Sequence, residues 1–282
     1  MTRNVLSTVP SCERLFHLMV NVTFATAVMV TAGCGSKPVQ APGESWHHLD
    51  NGQFRNPIGS PQADASFGDL LSFFWHRMRD KPPLVPGDHV IPQAEALDAL
   101  TATNGEDTVT WLGHAAFLLR LNGKVILTDP YLSKVAGPFG FGPERYVAPG
   151  LALDSLPPID IILVSHNHYD HLDYSTIKNF PYKKSKVIIP LKLSKYFTRN
   201  GFKDVNELDW YEEIKVNDDL KVTLLPAVHW SKRTLTDTNK TLWGNFLIEY
   251  KDKKIFFACD TGYGDIYKLL GNKYGPIDLT FI

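Results

Sequence analysis

The chain has 282 residues, 44% of them apolar, and its 29 Lys and Arg against 30 Asp and Glu give a formal net charge of −1. This apolar fraction excludes a disordered chain, and the balanced charge argues against a nucleic-acid binder, which usually has a basic excess. The three cysteines are too few to form a disulfide scaffold in a chain of this length. At about 150 residues per domain, the length fits one large or two smaller globular domains.

The N-terminus has the features of a secretory signal. An apolar run from Leu15 to Val30 follows Arg3 and Arg14. Such a run is shorter than the roughly 20 residues that a membrane-spanning helix needs, but it is long enough for a signal h-region. The run leads into Thr31-Ala-Gly-Cys34, which resembles the lipobox of bacterial lipoproteins, although Thr31 stands where the lipobox prefers Leu, Val or Ile.

We therefore expect residues 1–33 to be a lipoprotein-type signal peptide. Cys34 would then be acylated and would anchor the protein to the membrane of the bacterial cell envelope. An ordinary cleaved signal or an uncleaved anchor is the alternative. Cleavage before Cys34 would leave Cys259 without a partner, so no disulfide is expected within one chain.

Residues 34–107 are predicted to be a tether and an N-terminal wrapping segment. Residues 36–64 are rich in Ser, Pro, Gly, Asn and Gln and have no sustained periodicity. Apolar side chains at helical spacing then predict a helix, with Phe67, Leu70, Leu71, Phe74 and Met78 on its apolar face. This helix either packs on the main domain or touches a membrane near Phe73–Trp75 and feeds a lipid substrate. The sequence leaves both alternatives open.

From residue 108 onward, apolar runs typical of strands alternate with turns and helical stretches. The predicted strands are Val109–Leu112, Ala116–Leu121, Lys124–Thr128, Ile159–Val164, Lys186–Ile189, Lys221–Leu225, Leu242–Tyr250 and Lys254–Ala258. Asn122-Gly123 is a hairpin signal, and Leu191–Arg199 is a predicted helix. Many strands mixed with helices indicate an α/β fold of stacked sheets that are covered by helices.

One short segment carries most of the chemically active side chains. Ser165-His-Asn-His-Tyr-Asp-His171 directly follows the predicted strand Ile159–Val164. Unpaired buried imidazoles are costly, whereas imidazole and carboxylate groups are the ligands that Zn²⁺ takes. His166 and His168 can turn toward one metal ion, and Asp170 and His171 can reach a neighbouring one. The segment therefore predicts a metal site at the carboxyl end of a strand.

This segment resembles the His-x-His-x-Asp-His signature of the metallo-β-lactamase fold, a four-layer αββα sandwich. Other segments, in the same order along the chain, resemble N-acyl-phosphatidylethanolamine-hydrolysing phospholipase D and, more distantly, the ascorbate-6-phosphate lactonases. They are Trp111–Ala115, Leu127–Pro130, Leu156–Asp160, His229–Thr234 and Asp260–Tyr263. The resemblance covers residues 108–282, which we expect to form the metallo-β-lactamase-fold domain.

The resemblance implies a site for two Zn²⁺ ions. It assigns His166, His168 and His229 to one ion and Asp170 and His171 to the other, with Asp260 bridging both. His229 and Asp260 also each follow a predicted apolar strand.

Three further residues near these segments have predicted roles. Asp129 follows a predicted strand, and we interpret it as a residue that orients the histidine segment. Lys232 and Arg233 are candidate phosphate contacts, although at least one of them can simply face solvent.

The resemblance also implies a further histidine on the second zinc, from a strand beyond Asp260. Ile282 lies within the apolar run Ile277–Ile282. We therefore expect the domain to be C-terminally incomplete in this chain, with one ligand missing from the second zinc site. A chain that ends there is expected to be a poor enzyme.

The resemblance implies a zinc-dependent phosphodiesterase of the phospholipase D type. In that reaction two zinc ions activate a water for attack on phosphorus, and Asp170 can accept or return the proton. The expected substrate is an N-acyl-phosphatidylethanolamine-like phospholipid, and the products are an N-acylethanolamine and a phosphatidic acid. Two alternatives stay open: a metal-dependent hydrolase of a lactone or a soluble phosphodiester, and a metal-binding lipoprotein without turnover.

The lipoprotein signal gives the first testable prediction. We expect mass spectrometry of the membrane fraction to detect a lipid-modified N-terminal peptide that begins at Cys34, because the apolar run ends in Ala32-Gly33 just before it. An intact N-terminus at Met1 would contradict this prediction.

Overall fold

The computed structural model describes residues 45–62, 68, 71, 72, 75, 76, 79 and 84–282. Cys34 and the signal segment lie outside these residues, as do Phe67, Leu70, Phe73, Phe74 and Met78 of the predicted helix. The described residues between 68 and 79 are helical and exposed, and the side chains of Leu71 and Trp75 are each 62% exposed. All described residues belong to one compact unit, Lys37–Ile282.

The first sheet contains six strands in chain order. They are β1 (Thr108–Gly113), β2 (Ala116–Leu121), β3 (Lys124–Thr128), β4 (Ile161–Leu163), β5 (Lys186–Pro190) and β6 (Val205–Leu208). Strands β1 to β3 pair antiparallel, and β3 to β6 pair parallel. Asn122 and Gly123 join β2 to β3 with φ of 52° and 72°, as the predicted two-residue hairpin turn requires.

The second sheet contains five strands in the order β11-β10-β9-β8-β7. They are β7 (Glu213–Lys215), β8 (Leu220–Leu225), β9 (Asn245–Tyr250), β10 (Lys253–Phe257) and β11 (Leu279–Phe281). Strands β7 to β10 pair antiparallel with their neighbours, and β11 lies parallel to β10.

Besides the helical residues between 68 and 79, the described part of the chain has four helices: α1 (Gln93–Ala102), α2 (Tyr174–Asn179), α3 (Ser194–Thr198) and α4 (Ile266–Tyr274). Asp173 caps α2, because its carboxylate accepts a hydrogen bond from the Ser175 N–H. Short 3₁₀ turns occur at Pro138–Gly140 and Leu153–Ser155. Among the described helices, none combines the length and the hydropathy that a membrane crossing requires.

The two faces of each sheet bury different side chains, as the two-residue period of a strand dictates. In β2, Leu119 packs between the sheets, while Leu118 faces the layer that contains α1, α2 and α3. In β9, Phe246 packs between the sheets, while Leu247 faces the layer that contains α4. These three apolar layers between four layers of structure make an αββα sandwich, which confirms the predicted fold class.

The structure adds elements that the sequence analysis does not predict. Strands β6, β7 and β11 have four, three and three residues, too few for a clear alternation of apolar and polar side chains. Helix α1 lies in residues 34–107, the predicted tether and N-terminal wrapping segment, and its Leu100 is buried against the first sheet. The start of the described segment 45–62 also contacts the main domain, through hydrogen bonds between Asp209 and the side chains of His47 and His48.

The core gives the second prediction. Leu119 is completely buried between the sheets, so Leu119→Ala would leave a cavity and should cost about 2–5 kcal/mol of unfolding free energy. Leu235→Ala is the matched control: this leucine is 91% exposed, and the change should stay within about 0.5 kcal/mol. Urea denaturation followed by circular dichroism measures both. Equal stability of the two variants would contradict the packing described here.

Candidate metal centre

The predicted site residues follow strands of both sheets. Within each sheet, these strands have their carboxyl ends at the same edge. Asp129 follows β3, and the histidine segment, residues 165–171, follows β4, which is parallel to β3. His229 follows β8 and Asp260 follows β10; both strands are antiparallel to β9 and so run in the same direction. The distances between side chains show that these two edges meet at one site.

Three imidazole nitrogens converge at this site. His166 Nε2 lies 2.8 Å from His168 Nδ1, and His229 Nε2 lies 3.2 Å from each of these two atoms. Asp260 completes the group, since one ligand atom from each of the four residues lies within 4.8 Å of the others. The structure therefore brings together the three histidines predicted for the first metal and the predicted bridging carboxylate.

The chemistry of these donors fits a metal ion. A neutral ring nitrogen is either a hydrogen-bond donor or an acceptor, so among three mutually contacting nitrogens at least one pair has the same role and repels. A cation at the centre removes this conflict. Tetrahedral Zn²⁺, bound at about 2.0–2.1 Å from each nitrogen, would hold the nitrogens about 3.3 Å apart, which is close to the distances observed between His166, His168 and His229.

A second group of ligand atoms lies beside the first. It contains Asp170 and His171, as predicted, together with His114. His114 Nε2 lies 3.2 Å from Asp170 Oδ2. Asp260 Oδ2 lies 3.2 Å from His171 Nε2 and 3.9 Å from His229 Nε2, so this carboxylate stands between the two groups, where a bridging ligand would be. His171 Nε2 is buried and has no aligned hydrogen-bond partner, which again fits a cation.

The sequence analysis gives His114 no role. It lies between β1 and β2, and the chain turns there through two residues with positive φ, Gly113 at 108° and His114 at 54°. A non-glycine residue with positive φ is uncommon and often marks a functional site. A Cβ at Gly113 would also lie 2.7 Å from Arg145 Nη2, so a side chain there would displace this guanidinium group. The sequence feature that could have identified His114 is the Gly-His pair directly after the predicted strand Val109–Leu112.

Asp129 holds the histidine segment in place, as predicted for an orienting residue. Its buried carboxylate accepts hydrogen bonds from the Ser165 N–H at 2.7 Å and the Ser165 hydroxyl at 2.6 Å, and it contacts His171 Nδ1 at 2.8 Å. The Ser165 hydroxyl also lies 3.0 Å from His166 Nδ1. One carboxylate thereby sets the ring orientation of His171 directly and that of His166 through Ser165.

Burial keeps the three clustered imidazoles neutral, which is the form that binds metal. Burial, reinforced by the neighbouring His171, holds the pKa of His166 well below its usual range. Burial, followed by the proximity of His229, lowers the pKa of His168 to about 3. Burial lowers the pKa of His229 to about 4, although the Asp260 carboxylate opposes this shift.

The second group has the opposite electrostatics. Burial alone would lower the pKa of His171, but the hydrogen bond with Asp129 and the attraction of the Asp129 and Asp260 carboxylates outweigh it and raise the pKa to about 10. Burial would raise the pKa of Asp170, but the hydrogen bond from His114 and the charge of His171 outweigh it and hold that pKa far below its usual range. A metal on His171 Nε2 would displace a proton, so binding there would release protons.

The two candidate phosphate contacts lie next to the histidine segment and differ in their contacts. Arg233 Nη1 donates to the carbonyls of Asn167 and Leu172, and its guanidinium stacks 3.9 Å from the ring of Tyr169. Arg233 therefore stabilises the histidine segment by contacts with its backbone and with the Tyr169 ring. Lys232 is half-buried, and its backbone N–H donates to Asn167 Oδ1. A phosphate contact by either residue stays a prediction.

An open cleft gives access to the second group. It has a volume of about 330 Å³, and its walls include His114, Asp170, Tyr131, Arg145 and Tyr146. Arg145 donates to the carbonyls of Tyr131 and Val147, which holds a fixed positive charge on the wall of this cleft. The centre can therefore receive an anionic substrate from solvent.

Comparison with known proteins is consistent with this geometry. Residues 124–282, more than half of the chain, match the Beta-lactamase superfamily domain. Over 185 residues the chain is 36% identical to N-acyl-phosphatidylethanolamine-hydrolyzing phospholipase D 1 of Caenorhabditis elegans. This match covers 61% of this chain and 52% of the relative. Over 172 residues it is 40% identical to the mitochondrial N-acyl-phosphatidylethanolamine-hydrolyzing phospholipase D of Saccharomyces cerevisiae, which covers 59% of this chain and 37% of the relative.

The chain thus spans about half of the first of these curated relatives and less of the second. A metal-dependent hydrolase of Thermodesulfovibrio yellowstonii is 30% identical over 196 residues, which is 64% of this chain and 69% of the relative. The family resemblance expected from the histidine segment is confirmed. The role of each individual site residue stays a prediction.

The first cluster gives the third prediction. His166→Ala removes one of three converging nitrogens, and we expect metal affinity to fall by about 100-fold or more, because losing even a hydrogen bond to a ligand commonly costs about 10–100-fold. His89→Ala, at an exposed histidine outside both groups, is the matched control and should keep the wild-type metal content. Inductively coupled plasma mass spectrometry of the purified proteins measures both. Wild-type metal content in His166→Ala would show that the ligand assignment is wrong.

Proposed function

This chain belongs to the beta-lactamase superfamily, and from that membership we propose that it is a zinc-dependent phosphodiesterase of the phospholipase D type. Its substrates are N-acyl-phosphatidylethanolamine-like lipids, which it hydrolyses to an N-acylethanolamine and a phosphatidic acid. The observation that carries the proposal is the pair of adjoining ligand groups, one of three imidazoles and one around Asp170, with Asp260 between them. His114 and Asp170 of the second group line an open cleft.

The choice of a lipid phosphodiester has two supports. Two relatives that are 36% and 40% identical carry the name N-acyl-phosphatidylethanolamine-hydrolyzing phospholipase D. In addition, an apolar cleft of about 510 Å³ lies against β1, with Ile91, Val109 and Trp111 in its wall. Trp111 is 64% exposed, and its indole N–H donates to the His114 carbonyl, so this cleft adjoins the site residues. An acyl chain in this cleft would place its headgroup phosphate near His114.

Different residues of the chain have different roles at the phosphorus–oxygen bond that is broken. His166, His168 and His229 would hold a metal ion that, when bound, would act as a Lewis acid toward a phosphoryl oxygen and would lower the pKa of a bound water. The reaction forms one bond from the water oxygen to phosphorus and breaks the bond from phosphorus to the ethanolamine oxygen. Asp170 is ionised at neutral pH, so its carboxylate can orient the attacking water and accept its proton. His114, 3.2 Å away, can pass a proton between Asp170 and the leaving oxygen.

The metal and the location belong to the same proposal. Three nitrogens and a carboxylate suit Zn²⁺, and the same donors also bind iron, so the metal is to be identified by elemental analysis of the purified protein. An acylated Cys34 would hold the enzyme at a membrane that supplies the substrate. Trp75 and Leu71, each 62% exposed, offer apolar surface for such a membrane.

A second candidate function uses the same centre on a soluble phosphodiester or a lactone. Its support is the metal-dependent hydrolase of Thermodesulfovibrio yellowstonii, whose length the chain covers to 69% and whose name specifies no lipid. The two functions differ in whether turnover requires an apolar substrate.

The fourth prediction tests the proposed chemistry. Asp170→Asn keeps the size of the side chain but removes the proton acceptor, so turnover of N-acyl-phosphatidylethanolamine in mixed micelles should fall by about 100-fold or more. Asp252→Asn, at a carboxylate whose side chain is 81% exposed, is the matched control and should retain wild-type turnover. Mass spectrometry of the released N-acylethanolamine and phosphatidic acid measures both.

The choice of substrates separates the candidates. Turnover of bis-p-nitrophenyl phosphate or a lactone without turnover of the lipid would favour the second function. Metal binding without turnover of any of these substrates would favour a metal-binding protein and contradict the proposal. Equal activity of Asp170→Asn and the wild type would remove Asp170 from the mechanism.

A further inference from the structure

We propose that Asn56 is a positioning residue for the candidate metal ligand His229. Asn56 lies in residues 45–62, here called the N-terminal strap, which is outside the matched family domain at residues 124–282. The Asn56 side chain is buried, and its Oδ1 accepts a hydrogen bond from the His229 backbone N–H at 2.9 Å and one from the Trp243 indole N–H at 3.2 Å. The strap thereby reaches the metal centre through one amide group.

The orientation of the Asn56 amide is determined by its partners. Its Nδ2 donates to the Pro61 carbonyl at 2.8 Å, and its backbone N–H donates to Gln62 Oε1 at 3.2 Å. Because the amide nitrogen faces a carbonyl, the amide oxygen must face the His229 N–H. The turn from Asn56 to Gln62 therefore presents an acceptor at a defined place.

His229 depends on this acceptor because no strand contains it. Strand β8 ends at Leu225, and the chain continues to His229 without further sheet pairing. In the described structure, the His229 N–H donates its hydrogen bond to Asn56. An N–H that is shielded from water is unfavourable without an acceptor, so losing this bond favours a shift of the backbone. Such a shift would move His229 Nε2, which now lies 3.2 Å from the nitrogens of His166 and His168.

The strap itself contacts the domain in two loops, the one between β6 and β7 and the one between β8 and β9. His47 Nε2 lies 2.6 Å from Asp209 Oδ1, and His48 Nε2 lies 2.7 Å from Asp209 Oδ2. The ring of His47 stacks on that of Trp210 with 4.3 Å between centroids. The Phe54 N–H donates to the Asn239 carbonyl at 2.7 Å. Contacts from three residues that precede Asn56 thus hold the strap beside His229.

The inference rests on the proposed function only in taking His229 as a metal ligand. Its test is a metal dissociation constant, measured by competition with a chromophoric chelator, so it does not depend on turnover. A protein that binds metal and hydrolyses no substrate would overturn the proposed function and leave this inference intact.

Three variants of the strap form the experiment, each in the full chain. Asn56→Ala removes the acceptor and should weaken Zn²⁺ binding at the three-histidine site by about tenfold or more. Asn56→Asp keeps the acceptor, but it replaces the donation to Pro61 with a second oxygen and adds a negative charge, so it should recover part of the affinity. Asn51→Ala is the matched control, because the exposed Asn51 side chain exchanges hydrogen bonds with Gln53 of the same strap. The visible spectrum of bound Co²⁺ reports whether the coordination geometry changes.

A merely structural role for Asn56 would lower the affinity equally in Asn56→Ala and Asn56→Asp. That result, or wild-type affinity in Asn56→Ala, would overturn the proposal. If Asn56→Ala does not fold by circular dichroism, amide hydrogen exchange of the wild-type protein decides. The His229 N–H should exchange slowly in the metal-free protein, and exchange at the rate of an exposed amide would overturn the proposal.

Discussion

The candidate metal centre depends on one buried carboxylate. Asp129 accepts two hydrogen bonds from Ser165 and contacts His171 Nδ1, and it is fully excluded from solvent. A buried carboxylate without partners would be very costly, so these contacts are needed by Asp129 as much as by the histidine segment. In this arrangement the backbone of Asp129 itself has a positive φ of 31°, which is unfavourable for a residue other than glycine. These contacts fix the orientation of the segment after β4 and direct His166 and His171 toward the centre.

The other residues of the centre, and the residues that hold them, come from separate parts of the chain and contact the histidine segment or lie beside it. The second sheet supplies His229 and Asp260 at the carboxyl ends of β8 and β10. Arg233 binds the carbonyls of Asn167 and Leu172 from one side, and the N-terminal strap holds the His229 backbone from another. The ligand nitrogens are therefore held at 2.8–3.2 Å by contacts outside the cluster, as preorganised sites require.

The sequence predicted those features that depend on local pattern. Strands β2, β3, β5 and β8 lie within one residue of their predicted bounds, because each is an apolar run bounded by turn residues. The histidine segment was recognisable because three imidazoles and a carboxylate lie within six positions. The position of Asp129 after an apolar strand also indicated its orienting role.

What the sequence did not reveal depends on long-range contact. His114 and Asp170 are 56 positions apart, and their pairing follows from the turn between β1 and β2, which no periodicity predicts. Asn56 and His229 are 173 positions apart, and an asparagine in a segment rich in polar residues carries no signal of burial. Helix α1 has weak amphipathic character, since Leu100 is its one buried residue, so the sequence predicts for residues 34–107 a tether and wrapping segment without a helix at this place.

The central claim is that His166, His168 and His229 bind one metal ion. Anomalous X-ray diffraction from crystals of the protein grown with Zn²⁺, recorded on both sides of the zinc absorption edge, tests it most directly. The account predicts a strong anomalous peak within bonding distance, about 2.0–2.1 Å, of one nitrogen of each of the three rings. A zinc-loaded protein whose anomalous peaks all lie away from these three residues would contradict it.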